Sequence, residues 1–376
     1  MALEGQISQA SLQASLARGH RASGDLIPWT VSQHFQDSEF AKLSGARMVR
    51  IATHPEAQRM GYGTRALELL IEHFEGRGGA SSSSKLSNGV KKTSKKTKKA
   101  SSSDDDEEDD DESESDEDES DDDGGRKLLL REHVAPRKEL PPLLVNVKDR
   151  PAAPLHWVGV SFGMTENLMG FWHKAGFHLV YLRQTANDLT GEHTAIMLRA
   201  LDTQGLVEAP RAGWLEDFTM DALRRLVSLL SFEFRGLSTG LELAMLDNLR
   251  GGLPEDRPII TARQLSFLLT KRDLERLYLY SKNLIDYHMI RDLLPTLSRL
   301  YFLRLMPPDS SRLSHLMEAI LVGMGLQHKP VEVLSRDLGL PLEQVREWLH
   351  VVMCPIPGIL TYAFIAIDRC WPCSTR

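Results

Sequence analysis

Cysteine is scarce in this chain. There are three in 376 residues, Cys354, Cys370 and Cys373, all within the last 23 positions. That distribution excludes a disulfide framework for the fold and suits a reducing compartment. No Gly-Lys-Ser/Thr string occurs, so a Walker-type nucleoside triphosphate loop is not expected. The opening residues Met1-Ala2-Leu3-Glu4-Gly5 carry neither a basic n-region nor an apolar h-region, so no secretory leader is expected. Long apolar runs are lacking except at Val351 to Ile367. That run is 17 residues long and holds Pro355 and Pro357, which argues against a membrane span.

Charge is present but unevenly spread. The chain has 45 basic and 52 acidic side chains, a formal net of −7. Residues 85–123 alone hold seven lysines and seventeen acids, which leaves 38 basic against 35 acidic residues elsewhere. The remainder is mildly basic, a balance that permits an RNA partner. Residues 77–126 run from Ser/Gly through the pairs Lys91-Lys92, Lys95-Lys96 and Lys98-Lys99 to an acidic stretch from Asp104 to Asp123. With almost nothing apolar to bury, this segment cannot offset its ordering entropy and reads as a disordered insertion. It is either a solvated loop or a nuclear or nucleolar address followed by acidophilic kinase sites at Ser113, Ser115 and Ser120.

The length leaves room for two or three domains. Residues 1–76 and 127–201 read as two halves of one α/β domain with a mixed sheet. The first half gives a strand near Ala2 to Ile7 and an irregular loop through Ser23 to Gly45. A strand over Val49 to Thr53 and an amphipathic helix from Thr64 to Phe74 follow. The second half gives a strand at Leu155 to Ser161 and a helix from Thr165 to Ala175 with Thr165 as its N-cap. Strands at His178 to Gln184 and His193 to Leu198 close it. From 202 to 350 the pattern is helical, with Leu223, Leu226, Val227 and Leu230 at i, i+3, i+4 and i+7. A second helical stretch spans Thr261 to Met289, and Pro330 to Leu340 has the form of a helix-turn-helix opening.

The chemistry concentrates around Val49-Arg50-Ile51-Ala52-Thr53-His54-Pro55 and Gln58-Arg59-Met60-Gly61-Tyr62-Gly63-Thr64. A strand, a glycine loop and a helix N-terminus together make a cradle for a pyrophosphate, because free backbone N–H groups and the macrodipole both favour an anion. A plain strand–turn–helix connection has the same spacing. The pattern resembles the coenzyme A loop of the GNAT acetyltransferases, and Phe171-Trp172-His173-Lys174-Ala175-Gly176-Phe177 is similar to a second element of that fold. Closer strings include Ser23-Gly24-Asp25-Leu26-Ile27-Pro28-Trp29-Thr30, Leu140-Pro141-Pro142-Leu143-Leu144 and Tyr181-Leu182-Arg183-Gln184-Thr185. Asn187-Asp188-Leu189-Thr190-Gly191-Glu192-His193 and Gly325-Leu326-Gln327-His328-Lys329 complete the set. With these strings the chain, from about Ala2 to His350, is identified as a member of the RNA cytidine acetyltransferase family.

That resemblance implies a GNAT-type mixed sheet lacking its opening strands, followed by an all-α region that grips RNA. It implies acetyl-CoA as cofactor. Backbone groups of Ile51, Ala52 and Thr53 would bond the pantetheine arm, and Gln58, Arg59, Met60, Gly61, Tyr62, Gly63 and Thr64 the pyrophosphate. Lys174, where relatives commonly carry Arg, would pair with a cofactor phosphate without the bidentate fork. The implied acceptor is N4 of cytidine in rRNA and tRNA, with pre-ribosomal or tRNA-adaptor proteins as partners, in the nucleus and nucleolus. Relatives also carry an upstream ATP-driven domain, which this span does not include. Many GNAT enzymes place a Tyr where this chain has Trp172, so the usual general acid is in doubt. The candidates for proton transfer are His54 and His193, each with a structural role as its alternative; Tyr181 and Arg183 are candidate cleft residues.

Two other functions stay open at the level of sequence: protein N-acetylation with the same cofactor site, and a non-catalytic RNA-binding or ribosome-assembly adaptor. The tail 351–376 departs from the family, which continues with a lysine-rich helix, and reads as an altered reading frame or splice product. Cys370-Trp371-Pro372-Cys373 lacks the βαβ context of a redox motif.

Overall fold

A computed structural model describes residues 1–18, 24–77, 152–202, 205, 208, 210–254, 257–306 and 313–353. These fall within one unit, Met1–Arg77 with Ala152–Arg376. Ser23, the 78–126 part of the insertion, the Leu140–Leu144 string and the cysteine-bearing tail lie outside the described residues.

The first part holds β1 (Ala2–Gly5), α1 (Gln9–Ala17), α2 (Leu26–Phe35), β2 (Ser44–Met48) and α3 (Tyr62–Phe74). After 151 come β3 (Trp157–Gly163), α4 (Glu166–Lys174), β4 (His178–Leu182) and β5 (Thr194–Ala200). The sheet order is β1-β2-β3-β5-β4. β2 and β3 are parallel and every other pair is antiparallel, so the sheet is mixed, as expected. Side chains alternate across it with the period of two that a strand imposes. Val158, Val160, Ala195 and Met197 join Leu67 and Ile71 of α3 and Met169 and Trp172 of α4. Trp157, Ile196 and Leu198 face the other way, onto Ile27, Val31, Phe40 and Phe218.

Two sequence expectations are corrected. The strand assigned to Val49–Thr53 lies earlier, at Ser44–Met48. Gly45 and Ala46 are poor strand formers by propensity, yet the Trp157 ring lies over Gly45, where any Cβ would collide with it. Close packing outweighs intrinsic preference. The segment expected as an irregular loop holds α2. Pro28 sits in its first turn, where a missing N–H costs nothing. The helix start is tied down by buried Glu4, whose Oε2 accepts from the Ile27 amide at 2.9 Å and whose Oε1 pairs with Arg47 Nε at 2.5 Å. The N-cap expected at Thr165 is present, its hydroxyl accepting from the Leu168 amide.

The helical part comprises α5 (Trp214–Leu229), α6 (Thr239–Gly251), α7 (Ala262–Leu268), α8 (Lys271–Ser281) and α9 (Leu294–Phe302). α10 (His315–Leu321), which runs on through a π-turn, α11 (Val331–Leu338) and α12 (Leu342–Met353) follow. The stretch expected as helical from Thr261 to Met289 contains two separate helices, each opened by a capping box, Thr261/Gln264 and Thr270/Asp273. α5 and α6 share the sheet's core through Leu223, Leu226, Met245 and Leu249, whereas α7 to α12 contribute most of a second cluster.

α6 locks the two parts together. Asn248 accepts from the Leu179 amide at 2.8 Å and donates to the Phe177 carbonyl at 2.8 Å and to His173 Nδ1 at 2.7 Å. One turn and a half earlier, Glu242 is buried with Gln327, whose amide donates to its Oε1. Burial pushes the Glu242 carboxyl up to about 9, against the opposing pull of Lys329, so it is neutral at physiological pH.

A carboxyl held above its ordinary value of 4.5 binds its proton more tightly in the fold than in the unfolded chain. Its contribution to stability is present at low pH and is lost as pH rises toward the folded value. Glu242→Gln, neutral at every pH and of the same shape, is therefore expected to lose less thermal stability than the parent between the two values. Thermal melts of both proteins across that range check this; parallel curves would show Glu242 to be charged in the fold.

Candidate active site

The parallel pair β2–β3 is short. Its rungs run from Gly45↔Trp157 to Met48↔Val160 and stop there. β3 continues through Ser161, Phe162 and Gly163 with pairing only to β5. Beyond Met48 the chain leaves the sheet as the unpaired segment Val49–Thr53. A gap thus opens at the carboxyl ends of two parallel strands, the place where open α/β sheets bind ligands.

The segment then enters a turn capped by His54, whose Nδ1 accepts from the Glu56 amide at 3.4 Å. Gln58 reaches back to donate to the Thr53 carbonyl at 3.4 Å. Arg59 at φ 62° and Gly61 at φ 89° are both left-handed, and successive turns of this kind point amides toward one side. The first intrahelical bond of α3 runs from the Arg65 amide to the Gly61 carbonyl at 2.9 Å. The amides of Tyr62, Gly63 and Thr64 precede it and stay available. Met60 and Tyr62 are exposed. Arg50, Arg59 and Lys174 are exposed cations, and none has an ion-pair partner among the described residues.

Gly63 belongs to the first turn of α3. A Cβ there would sit 3.6 Å from the Thr53 hydroxyl and 3.7 Å from the Phe171 ring. The strand exit, the glycine loop and α4 therefore converge at one point, which brings Ile51, Ala52 and Thr53 together with Gln58 to Thr64. Lys174 lies one turn beyond Phe171 on α4, at i+3 and so on the same side. Trp172 is in the core, edge-on to Phe171 and Phe177 at 4.9 and 5.1 Å. It packs; it does not face the gap.

The loop between β4 and β5 folds over the end of β3. Asn187 and Glu192 close it with an amide-to-carbonyl bond of 2.9 Å, and the His193 carbonyl accepts from the Met164 amide at 2.8 Å. His193 Nδ1 lies 2.9 Å from the Arg183 carbonyl, and its ring meets Phe234 edge-on at 5.1 Å. The carbonyl holds the proton on Nδ1 and leaves the Nε2 lone pair as acceptor. Tyr181 packs against His34 at 4.9 Å. Glu192 was not singled out from sequence. Its carboxylate lies against Gly163, where any Cβ would strike it. Position 163 shares a face with Trp157, so Glu192 lies on the opposite side of the sheet from α3 and α4. Only its place beside His193 in the Asn187–His193 string marked it.

An anion cradle at the divergence of two parallel strands, under a helix N-terminus, defines the acyltransferase fold of the GNAT class. Residues 1–202 match the family model for GNAT acetyltransferase 2, and residues 214–357 match a possible tRNA binding domain. The chain belongs to the GNAT acetyltransferase 2 family. Its relatives include the RNA cytidine acetyltransferase of Homo sapiens, 44% identical over 91% of this chain and 30% of the relative. That of Saccharomyces cerevisiae is 42% identical over 92% of this chain and 30% of the relative. That of Achlya ambisexualis is 52% identical over 62% of this chain and 56% of the relative. The chain thus spans about a third of the length of most curated relatives it matches. No helix among the described residues is long and apolar enough to cross a membrane.

The left-handed backbone at Gly61 sets a checkable cost. Gly61→Ala is expected to destabilise the protein by roughly 1 kcal/mol in urea unfolding, through the Cβ–carbonyl clash of that conformation alone. Nothing crowds the site itself, so an unchanged midpoint would mean that the loop adopts another backbone conformation.

Proposed function

We propose that this chain is the acetyl-CoA-dependent catalytic portion of an RNA cytidine acetyltransferase, acting on N4 of cytidine in rRNA and tRNA. The observation that carries the reading is the convergence of Thr53, Gly63 and Phe171 beneath free α3 amides. The donor set fits the cofactor: several unpaired backbone N–H groups, exposed Arg50, Arg59 and Lys174, and a left-handed glycine that admits close approach. Amides from Gln58 to Thr64 would hold the pyrophosphate, with Lys174 as an additional cation. The unpaired Ile51–Thr53 backbone would bond the pantetheine arm as an added strand. When bound, the coenzyme supplies an acetyl group activated as a thioester.

The chain's own residues then have two tasks. The exocyclic amine of cytidine is a weak nucleophile because its lone pair is delocalised, so positioning and oxyanion stabilisation dominate. A proton must also leave that nitrogen. Glu192, on the face opposite α3, is the better placed acceptor; His193, with a free Nε2, is the second. His54 holds a turn, and we assign it that structural role. The lysine pairs and acidic run of the insertion support action in the nucleus and nucleolus.

Labelled acetyl-CoA offered with cytidine-containing RNA or with histone-like peptide separates this reading from protein acetylation. Label is expected on RNA; label on peptide alone would overturn it. RNA binding without acetyl-CoA binding would favour an adaptor. Gly63→Glu is expected to abolish acetyl-CoA binding in calorimetry, since a carboxylate there repels the pyrophosphate. Glu192→Gln is expected to lower turnover at least tenfold with acetyl-CoA affinity intact, in line with the usual size of a lost proton acceptor. If His193→Ala alone does so, the base is the imidazole.

A further inference from the structure

The residues without a part in the acetyl-transfer site include a group of arginines in the helical region. Met220, Arg224 and Ser228 follow one another at four-residue intervals along one face of α5. Arg257, in the strap before α7, lays Nη2 on the Met220 sulfur at 3.0 Å. Its Nη1 is buried and has no hydrogen-bond partner. The strap is pinned where the Ile260 amide donates to the Leu305 carbonyl at 2.9 Å, which brings it against the turn that carries Arg304. Arg299 of α9 donates to the Ser228 hydroxyl at 2.9 Å. Arginines from α5, the strap, α9 and the turn after it therefore share one surface.

Some of the other arginines are neutralised. Arg47, Arg225, Arg250 and Arg276 each meet a carboxylate. Among the described residues, Arg224, Arg257 and Arg299 meet none. Burial first, and then the like charges of Arg304 and Arg224, lower the Arg257 guanidinium from its ordinary value. Convergent cations with a desolvated, unbonded N–H are unfavourable alone and favourable around a phosphate, whose oxygens match the guanidinium fork.

We propose that Arg224 and Arg257 form a clamp for the sugar–phosphate backbone of RNA. The assignment rests on the RNA reading above and gives it a specific contact surface. The clamp holds phosphate and ignores base identity, so it fixes the RNA without selecting its sequence.

The test is fluorescence anisotropy of the full chain with labelled hairpin RNAs of several sequences across a salt series. Removing a phosphate contact weakens every sequence alike and reduces the slope of log K against log salt by about one unit per arginine. Arg224→Gln/Arg257→Gln is expected to reduce it by about two, with acetyl-CoA binding unchanged. Arg257→Lys, which keeps the charge and loses the fork, is expected to keep the slope and weaken binding, which guards against a folding defect in the double variant. Arg276→Gln, whose charge is already engaged by Asp273 and Asp292, is expected to leave the slope alone. A double variant with the parent slope overturns the clamp, as does a parent chain that prefers a poly-glutamate peptide to RNA. A reduced slope in the double variant, when the parent chain transfers no acetyl group, supports the clamp and counts against the enzymatic reading.

Discussion

The four-rung parallel ladder between Ser44–Met48 and Trp157–Gly163 is the constraint on which the site depends. It is long enough to align two strands and short enough to let them part. Had the β-branched run Val49–Thr53 continued the pairing, its backbone groups would be spent within the sheet. Because pairing ends at Met48, those groups face a gap, and the chain is delivered directly into the glycine loop. The Trp157 ring over Gly45 sets where the ladder begins, so packing at one end of the strand governs chemistry at the other.

The two faces of the sheet carry different work. On one, α3 and α4 place amides and the Phe171 ring around the divergence. On the other, Glu192 reaches across Gly163, and Glu4 ties α2 to the strands β1 and β2. Such a division suits a transfer reaction, in which donor and acceptor approach from opposite sides of one opening. The helical part is continuous with this arrangement: α6 uses Asn248 to satisfy backbone groups of the β4 edge, and buried Glu242 seats against Gln327. A surface that holds RNA on that helical part would therefore be rigidly referred to the site of chemistry.

Electrostatics follows the same plan. The net negative charge of the chain comes from the acidic insertion and says little about the folded surface. Within the described residues Arg47, Arg225, Arg250 and Arg276 sit beside carboxylates, whereas Arg50 and Arg59 near the loop, and Arg224 and Arg257 on the helical part, do not. Unneutralised cations in two places are what a protein needs if it is to hold a pyrophosphate and a polyanion together.

The glycine loop, the Thr165 cap, the α4 and β4 elements and the helical stripe around Leu223 were legible in the chain itself, because each depends on neighbours a few residues away. Turn chemistry, capping and helical periodicity are local, and so is the string that marks the family. The strand at Ser44–Met48 and helix Leu26–Phe35 were not legible. Their reasons are distant: Trp157 stacked on Gly45, and Glu4 joining the Ile27 amide to Arg47. The same holds for the loop between β4 and β5. Glu192 acquires its place only when Gly163 is laid beside it by the β3–β5 register, and Arg257 becomes notable only when Met220 and Arg304 are folded against it. Sequence determined the glycine loop and the helix it opens; tertiary structure decided where the strands part, which carboxylate lies against Gly163 and which arginines gather around Arg257. Non-local packing sets those positions, and no periodicity encodes it.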